Sequence, residues 1–145
     1  MSALVVDASV AAKWFTEEEL AEEALSILDE RHHLHAPDFF LLEMDNLICK
    51  WIRHGIINDS EGVDIRKAIR RVPIHLHSYL NFQDSAYHIA VQTNQSMYDC
   101  LYVALAVFVG GQMVTADRRL FKGFASGPLG KHLVWIEDVG KPENK

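Results

Sequence analysis

The chain has 145 residues, 49% of them apolar and 23% charged, which is the balance of a soluble globular protein long enough to bury a core. A formal net charge of -6 excludes a protein that coats nucleic acid by bulk electrostatics, because phosphate binding is dominated by Lys and Arg. It leaves room for a metal-dependent nuclease, in which bound cations face the phosphate. The longest apolar run, residues 101–109, is far short of the roughly 20 residues that span a bilayer. The N-terminus carries neither a basic leader nor a small-residue cleavage site, so a cytoplasmic protein without membrane contact is expected. Cys49 and Cys100 fall in helical patterns without a C-x-x-C spacing and read as reduced core residues.

Residues 3–6 are an unbroken apolar run with two valines, the pattern of a strand buried on both faces of a parallel sheet, and Asp7 ends it. Residues 9–15 suit a short helix. Thr16-Glu17-Glu18-Glu19 has capping-box spacing and predicts a second helix to about residue 31, with Leu20, Ala24, Ile27 and Leu28 at helical spacing. A short extended piece near residues 34–36 leads to Pro37, which fits a first helical turn, and to a third helix over residues 38–53 that ends before Gly55. Asn58 or Ser60 can cap a fourth helix reaching about residue 71. Residues 72–76 read as a strand and residues 82–93 as a helix. Ser96 then caps a helix over residues 97–109 that is apolar on nearly every face, hence centrally packed, and Gly110-Gly111 ends it. A strand over residues 112–115, a short helix over 118–124, a loop at Gly127-Pro128 and a strand over 133–136 complete the chain. Strands alternating with helices imply an α/β protein, a three-layer α/β/α sandwich around a central parallel sheet of about five strands with right-handed crossovers. It forms a single domain over residues 1–140, followed by a charged tail over 141–145.

In an open parallel sheet the ligand site lies beyond the carboxyl ends of the strands, and Asp7 and Asp117 sit there. Asp99 is the only charge in the first three turns of the most apolar helix, where an unpaired ionised group costs roughly several kcal/mol. Glu43 borders the apolar stripe Phe40, Met44, Leu47, Ile48 and Trp51 of the third helix; Asp45 borders the opposite edge, and helical phase does not choose between them. Taken singly, each acid has a structural explanation: Asp7 and Asp117 as N-caps, Asp99 in a box with Ser96, Glu43 in a surface ion pair. Gathered at one end of a sheet they repel one another and raise each other's pKa unless divalent cations neutralise them, so together they point to metal. Ser9, Asn46 and Thr115 are candidates to hold these carboxylates in place, or else to bond turns and caps.

The same residues resemble a known family. The run Val5-Val6-Asp7-Ala8-Ser9-Val10-Ala11-Ala12-Lys13-Trp14-Phe15 is similar to the opening of VapC-type PIN-domain toxins. Leu42-Glu43-Met44-Asp45-Asn46 resembles their second motif, a glutamate with an asparagine three residues on. Tyr98-Asp99-Cys100-Leu101-Tyr102-Val103-Ala104-Leu105-Ala106 resembles the third and Val114-Thr115-Ala116-Asp117-Arg118-Arg119-Leu120 the fourth, in order, over residues 4–139. Cys100 stands where the family often has alanine, and Arg118, not a further acid, follows Asp117. The resemblance implies a PIN-like fold and a metal-dependent endoribonuclease, the toxin of a type II toxin–antitoxin system acting on tRNA or other structured RNA. It selects Glu43 over Asp45 and makes Asp7, Glu43, Asp99 and Asp117 the catalytic and metal-binding set for Mg2+ or Mn2+. It further implies an RNA substrate, a VapB-like antitoxin partner and a homodimer.

Lys13, Arg118, Arg119 and Lys122 lie close in sequence to the acids and can carry an RNA backbone or simply be solvated, while Arg66, Lys67, Arg70 and Arg71 suit a helix C-terminus. Trp14, Phe15 and Trp51 read as core or as the lining of an antitoxin groove. His32, His33 and His35 flank a helix end and His75 and His77 can share a strand face; neither group has the Cys or acidic partners of a zinc motif, so these read as surface or hydrogen-bonded histidines. A receiver-type signalling module is disfavoured because no adjacent acidic pair follows the first strand. A phosphatase with an Asp-x-Asp nucleophile is disfavoured because Ser9 stands two residues after Asp7. A PIN-like RNA- or protein-binding domain without catalysis is the remaining alternative, and such a domain is expected to have lost carboxylates that this chain keeps.

Overall fold

The computed structural model describes residues 2–141. Five strands, β1 (Ser2–Val5), β2 (His32–Pro37), β3 (Ile74–His77), β4 (Gln112–Thr115) and β5 (Leu133–Trp135), pair in the order β3-β2-β1-β4-β5, all parallel. Because the chain builds outward from β1 in one direction and then returns to its other side with β4, the order reverses between β1 and β4, which is where a parallel sheet opens a crevice beyond its strand ends.

The helices α1 (Ala8–Ala12), α2 (Ala21–Ser26), α3 (Phe40–Arg53), α4 (Asp59–Arg71), α5 (Gln83–Thr93), α6 (Met97–Val109) and α7 (Arg118–Ala125) cover both faces of the sheet. Alternation along the first strand and its extension sends Leu4 and Val6 to one face, where they join Val10, Ile27, Phe40, Met44 and Ile69, and sends Val5 to the other, with Phe82, Val103, Leu105, Met113 and Phe124. A strand between two apolar layers has no wet face, which is why residues 3–6 read as an unbroken apolar run. Helix α6 lies against β1, β2 and β4, and its seven consecutive residues from Cys100 to Ala106 are all buried. It starts where Ser96 Oγ accepts the Asp99 N–H at 3.1 Å and stops at Gly110, whose φ of 68° is left-handed. A Cβ on the next residue, Gly111, would collide with the Ala3 carbonyl, so the tight return into β4 requires glycine there.

The second helix departs from expectation. Only Ala21–Ser26 is helical, and Thr16-Glu17-Glu18-Glu19 is not a capping box. The Thr16 hydroxyl lies between the Ala12 carbonyl and Glu18 Oε2, Lys13 Nζ donates to Glu18 Oε1 at 2.8 Å, and Leu20 takes a left-handed φ of 69°, so the segment folds back on α1 before helix begins. Pro37 ends β2 instead of opening a helix, and α3 starts at Phe40. The third strand lies at Ile74–His77, and Ile136–Asp138 is a 3-10 turn in place of the end of the last strand. Asn58, not Ser60, caps α4, in a reciprocal box with Glu61. Cys100 is buried as expected, but Cys49 is exposed on α3 and is not core. The charged tail lies, beyond Lys141, outside the described residues. Among those residues no helix is long and apolar enough to cross a membrane.

The central position of α6 predicts an asymmetric response to truncation. Leu105→Ala, at a fully buried site, lowers unfolding free energy by about 2–5 kcal/mol in urea denaturation. Val107→Ala, at a site 41% exposed, changes it by no more than about 0.5 kcal/mol. Equal small effects would contradict the packing described.

Candidate active site

Past Val5 the ladder continues for one residue, with Val6 N–H donating to the His35 carbonyl at 3.0 Å, and the chain then turns into α1. Asp7 makes that turn as its N-cap. Its Oδ1 accepts the Val10 N–H at 2.9 Å and the Ser9 hydroxyl at 2.8 Å. The side chain is half-buried, and desolvation raises its pKa to about 6; the charges of Glu43 and Asp99 add to that rise, while the two donors oppose it.

Glu43 occupies the first turn of α3 and points at α6, where Tyr102 Oη donates to its Oε1 at 2.7 Å. Burial raises its pKa, Asp99 raises it further, and the tyrosine bond works the other way. Tyr102 is itself pushed far up by burial and by the nearby carboxylates of Glu43, Asp7 and Asp99, so its hydroxyl stays a donor. Asp99 stands in the first turn of α6, one turn before Tyr102 on the same helix. Three acids from the starts of three helices thus share one half-buried region beyond the carboxyl end of β1. Among the described residues no Lys or Arg pairs with any of them; the ion pairs are Lys13 with Glu18, Arg31 with Asp29, and Arg66 and Arg70 with Asp45.

The other candidates sit differently. Asp117 lies just beyond β4, the neighbour of β1, but is exposed and turned to its own helix, Oδ1 accepting from the N–H groups of Arg119 and Leu120 at 3.0 and 3.2 Å. The charges acting on Asp7 are those of Glu43 and Asp99. Thr115, buried, fixes the approach to Asp117 by accepting its N–H at 3.0 Å. Asn46, one turn on from Glu43, is exposed and bonds to none of the acids. Asp45, which helical phase left level with Glu43, faces α4 instead and takes both Arg66 donors at 2.8 and 3.1 Å. Lys13 is taken up by Glu18 and the Glu19 carbonyl, the Trp14 indole donates to the Ala24 carbonyl, and Arg118 lies over the Trp135 ring at 4.5 Å. Tyr102 was not among the expected site residues. The available signal was its spacing of three from Asp99, which sets the two side chains near one another on a helix.

The donor set is all oxygen and all anionic, and among the described residues it lacks a balancing cation, which fits a hard divalent ion. The carboxylate oxygens do not close into a cluster with mutual distances under 4.8 Å. That openness suits a hard divalent ion that keeps part of its water shell.

The PIN domain family model matches residues 4–125. Ribonuclease VapC3 of Pyrobaculum aerophilum is 32% identical over 123 residues, which cover 83% of this chain and 94% of the relative. Among solved structures, the Mycobacterium tuberculosis toxin VapC20, described as cleaving the sarcin-ricin loop, matches with a TM-score of 0.63 at 16% identity over 83% of this chain and 95% of its own. A toxin–antitoxin complex from Klebsiella pneumoniae contains a chain that matches with a TM-score of 0.63 at 13% identity, covering 92% of this chain and 97% of its own. The two solved structures share the fold, and the family model together with the Pyrobaculum relative carries the closer relationship: this chain belongs to the PIN-domain family.

Proposed function

We propose that this chain is a metal-dependent endoribonuclease, the toxin half of a toxin–antitoxin pair, hydrolysing phosphodiester bonds of tRNA or other structured RNA in the cytoplasm. The observation that carries this reading is the group Asp7, Glu43 and Asp99, three neighbouring carboxylates without a cationic partner among the described residues, in a chain of the PIN-domain family. Its relative VapC3 is a ribonuclease. Asp7, Glu43 and Asp99, with Asp117 at the rim, are the residues to hold Mg2+ or Mn2+. Such an ion, when bound, supplies an activated water and neutralises charge on the phosphate.

The side chains around the acids have separate tasks. Ser9 and the Val10 N–H fix the rotamer of Asp7, and Tyr102 fixes that of Glu43 while favouring its ionised form. Thr115 and the start of α7 hold Asp117 on the next strand end. Arg118, Arg119 and Lys122 follow Asp117 and offer positive charge to the RNA backbone, and Tyr98, 64% exposed beside Asp99, offers a ring face to an unstacked base. A VapB-like antitoxin and a second copy of the chain complete the assembly. The antitoxin is supported by the toxin–antitoxin complex among its structural neighbours and by exposed apolar side chains such as Leu42.

The direct test is incubation of end-labelled structured RNA, tRNA included, with purified protein in Mg2+, in Mn2+ and in EDTA. Cuts are expected with either ion and none in EDTA. Asp99→Asn slows cleavage at least about a hundredfold, the scale of losing a catalytic group. Tyr102→Phe slows it about tenfold, the scale of losing a supporting hydrogen bond. Cutting that survives both EDTA and Asp99→Asn would overturn the mechanism.

The raised pKa of Asp7 adds a second, thermodynamic test. Its folded value of about 6 lies above the ordinary 3.8, so the folded state holds the extra proton, and the contribution is greatest below pH 3.8 and lost as pH rises through about 6. At pH 7 in EDTA the ionised Asp7 therefore opposes folding. Asp7→Asn keeps a good N-cap and the acceptor for Ser9, and is predicted to be about 1–3 kcal/mol more stable than wild type under those conditions. Adding Mg2+ stabilises the wild type and not the variant. A variant less stable than wild type in EDTA at pH 7 would contradict this account of the site.

A further inference from the structure

The sequence groups His32, His33 and His35 at one place and His75 and His77 at another, but the fold redistributes them. His35 lies on β2 directly opposite His75 on β3, and His77 follows two residues later on the same face of β3. Parallel pairing therefore brings three imidazoles together from positions 35, 75 and 77. One ring nitrogen from each lies within 4.8 Å of the other two, and among the described residues this is the only His, Cys, Asp or Glu group so closed. His35 Nδ1 and His77 Nε2 share a hydrogen bond at 2.9 Å, and the His75 and His77 rings are stacked with centroids 4.2 Å apart.

We propose that His35, His75 and His77 form a second metal site, distinct in chemistry from the carboxylates, that takes a late divalent transition metal, zinc in the first instance, and ties the edge strand β3 to β2. Imidazole nitrogen is the ligand such ions prefer, and a three-histidine set with the remaining position left to water is an established zinc arrangement. The spacing from 2.9 Å upward brackets that of nitrogens around one tetrahedral zinc, whose Zn–N bonds are about 2.0–2.1 Å. The His75 ring stacks on His77 and His35 and must turn to aim its lone pair at a shared ion; it is exposed, and its solvent side gives it room to turn. A change of tautomer at whichever ring now donates the 2.9 Å bond frees its nitrogen without net loss of a proton.

Two further features favour ligation over protonation. Phe82 and Phe108 stand against His77 at ring distances of 6.3 and 6.2 Å and make one wall of the group apolar. Burial, then the neighbouring imidazoles, hold His35 and His77 below the ordinary histidine value, the direction that favours a lone pair over a proton. Among the described residues no carboxylate is one of the charges acting on either ring. The group therefore lacks what would favour imidazolium and keeps what a soft-borderline metal needs.

The test is Zn2+ titration of the full chain, freed of metal, in excess Mg2+ and against a chromophoric zinc chelator, with Co2+ as an optical probe in parallel. The wild type is expected to take up one Zn2+ per chain and to give the visible absorption of four-coordinate Co2+. His35→Gln and His77→Gln each weaken Zn2+ binding at least about a hundredfold, more than loss of an outer partner would. The exposed His75→Gln, which leaves the buried packing intact, does so without shifting the thermal midpoint of the metal-free protein. Asp99→Asn keeps the zinc affinity unchanged. Uptake that is absent, that survives His75→Gln, or that disappears in Asp99→Asn would overturn the proposal.

Discussion

Three carboxylates of like charge, half out of water and, among the described residues, without a cationic side chain paired to them, are the constraint around which this structure is arranged. A chain left to its own stability would pair such acids or expose them. Here each is placed at the start of a helix, where unpaired N–H groups favour negative charge, and two are given specific donors: Ser9 and Val10 for Asp7, Tyr102 for Glu43. Those bonds lower the pKa values they act on, but burial wins, and Asp7 remains at about 6. The residual unfavourable charge is what a divalent cation would relieve.

The fold concentrates its stability elsewhere so that this arrangement can persist. Apolar side chains on both faces of β1, and α6 buried along seven consecutive residues, anchor the elements that carry Asp7, Asp99 and Tyr102. Glu43 arrives on α3, whose other edge is fastened to α4 by Asp45, Arg66 and Arg70. Two acids two residues apart on one helix thus have opposite work: one fixes the helix and the other faces Tyr102 and the shared acidic region. Strain of this kind at a site, offset by packing around it, is the usual relation between stability and activity.

How much of this was legible in the sequence depends on whether the signal was local. Helix α6 and strand β4 agree with the reading residue for residue, because Ser96, Gly110 and Gly111 mark the boundaries by their own chemistry. Helix α2 is shorter than its sequence pattern because the expected cap is claimed by Lys13 and the Ala12 carbonyl, contacts made back across a turn that no helical pattern encodes. Glu43 and Asp45 are indistinguishable by phase; the family resemblance selects Glu43, and the physical difference, α4 on one side and α6 on the other, comes from the tertiary fold. Asp7, Asp99 and Asp117 could be located from strand ends and helix polarity, and Asp117 does cap its own helix, the structural explanation that its position offers. Tyr102 was hidden by the apolar helix that carries it, and the histidine group by strand pairing between β2 and β3.

The measurement that bears most directly on the central claim is binding of Mn2+, followed by electron paramagnetic resonance as metal-free protein is added to the free ion. The wild type is expected to quench the free-ion signal, Asp99→Asn and Glu43→Gln to weaken this by more than about tenfold, and His75→Gln to leave it unchanged. Mn2+ bound equally by wild type and the two carboxylate variants, or by none of them, would contradict the assignment of Asp7, Glu43 and Asp99 as a cation site.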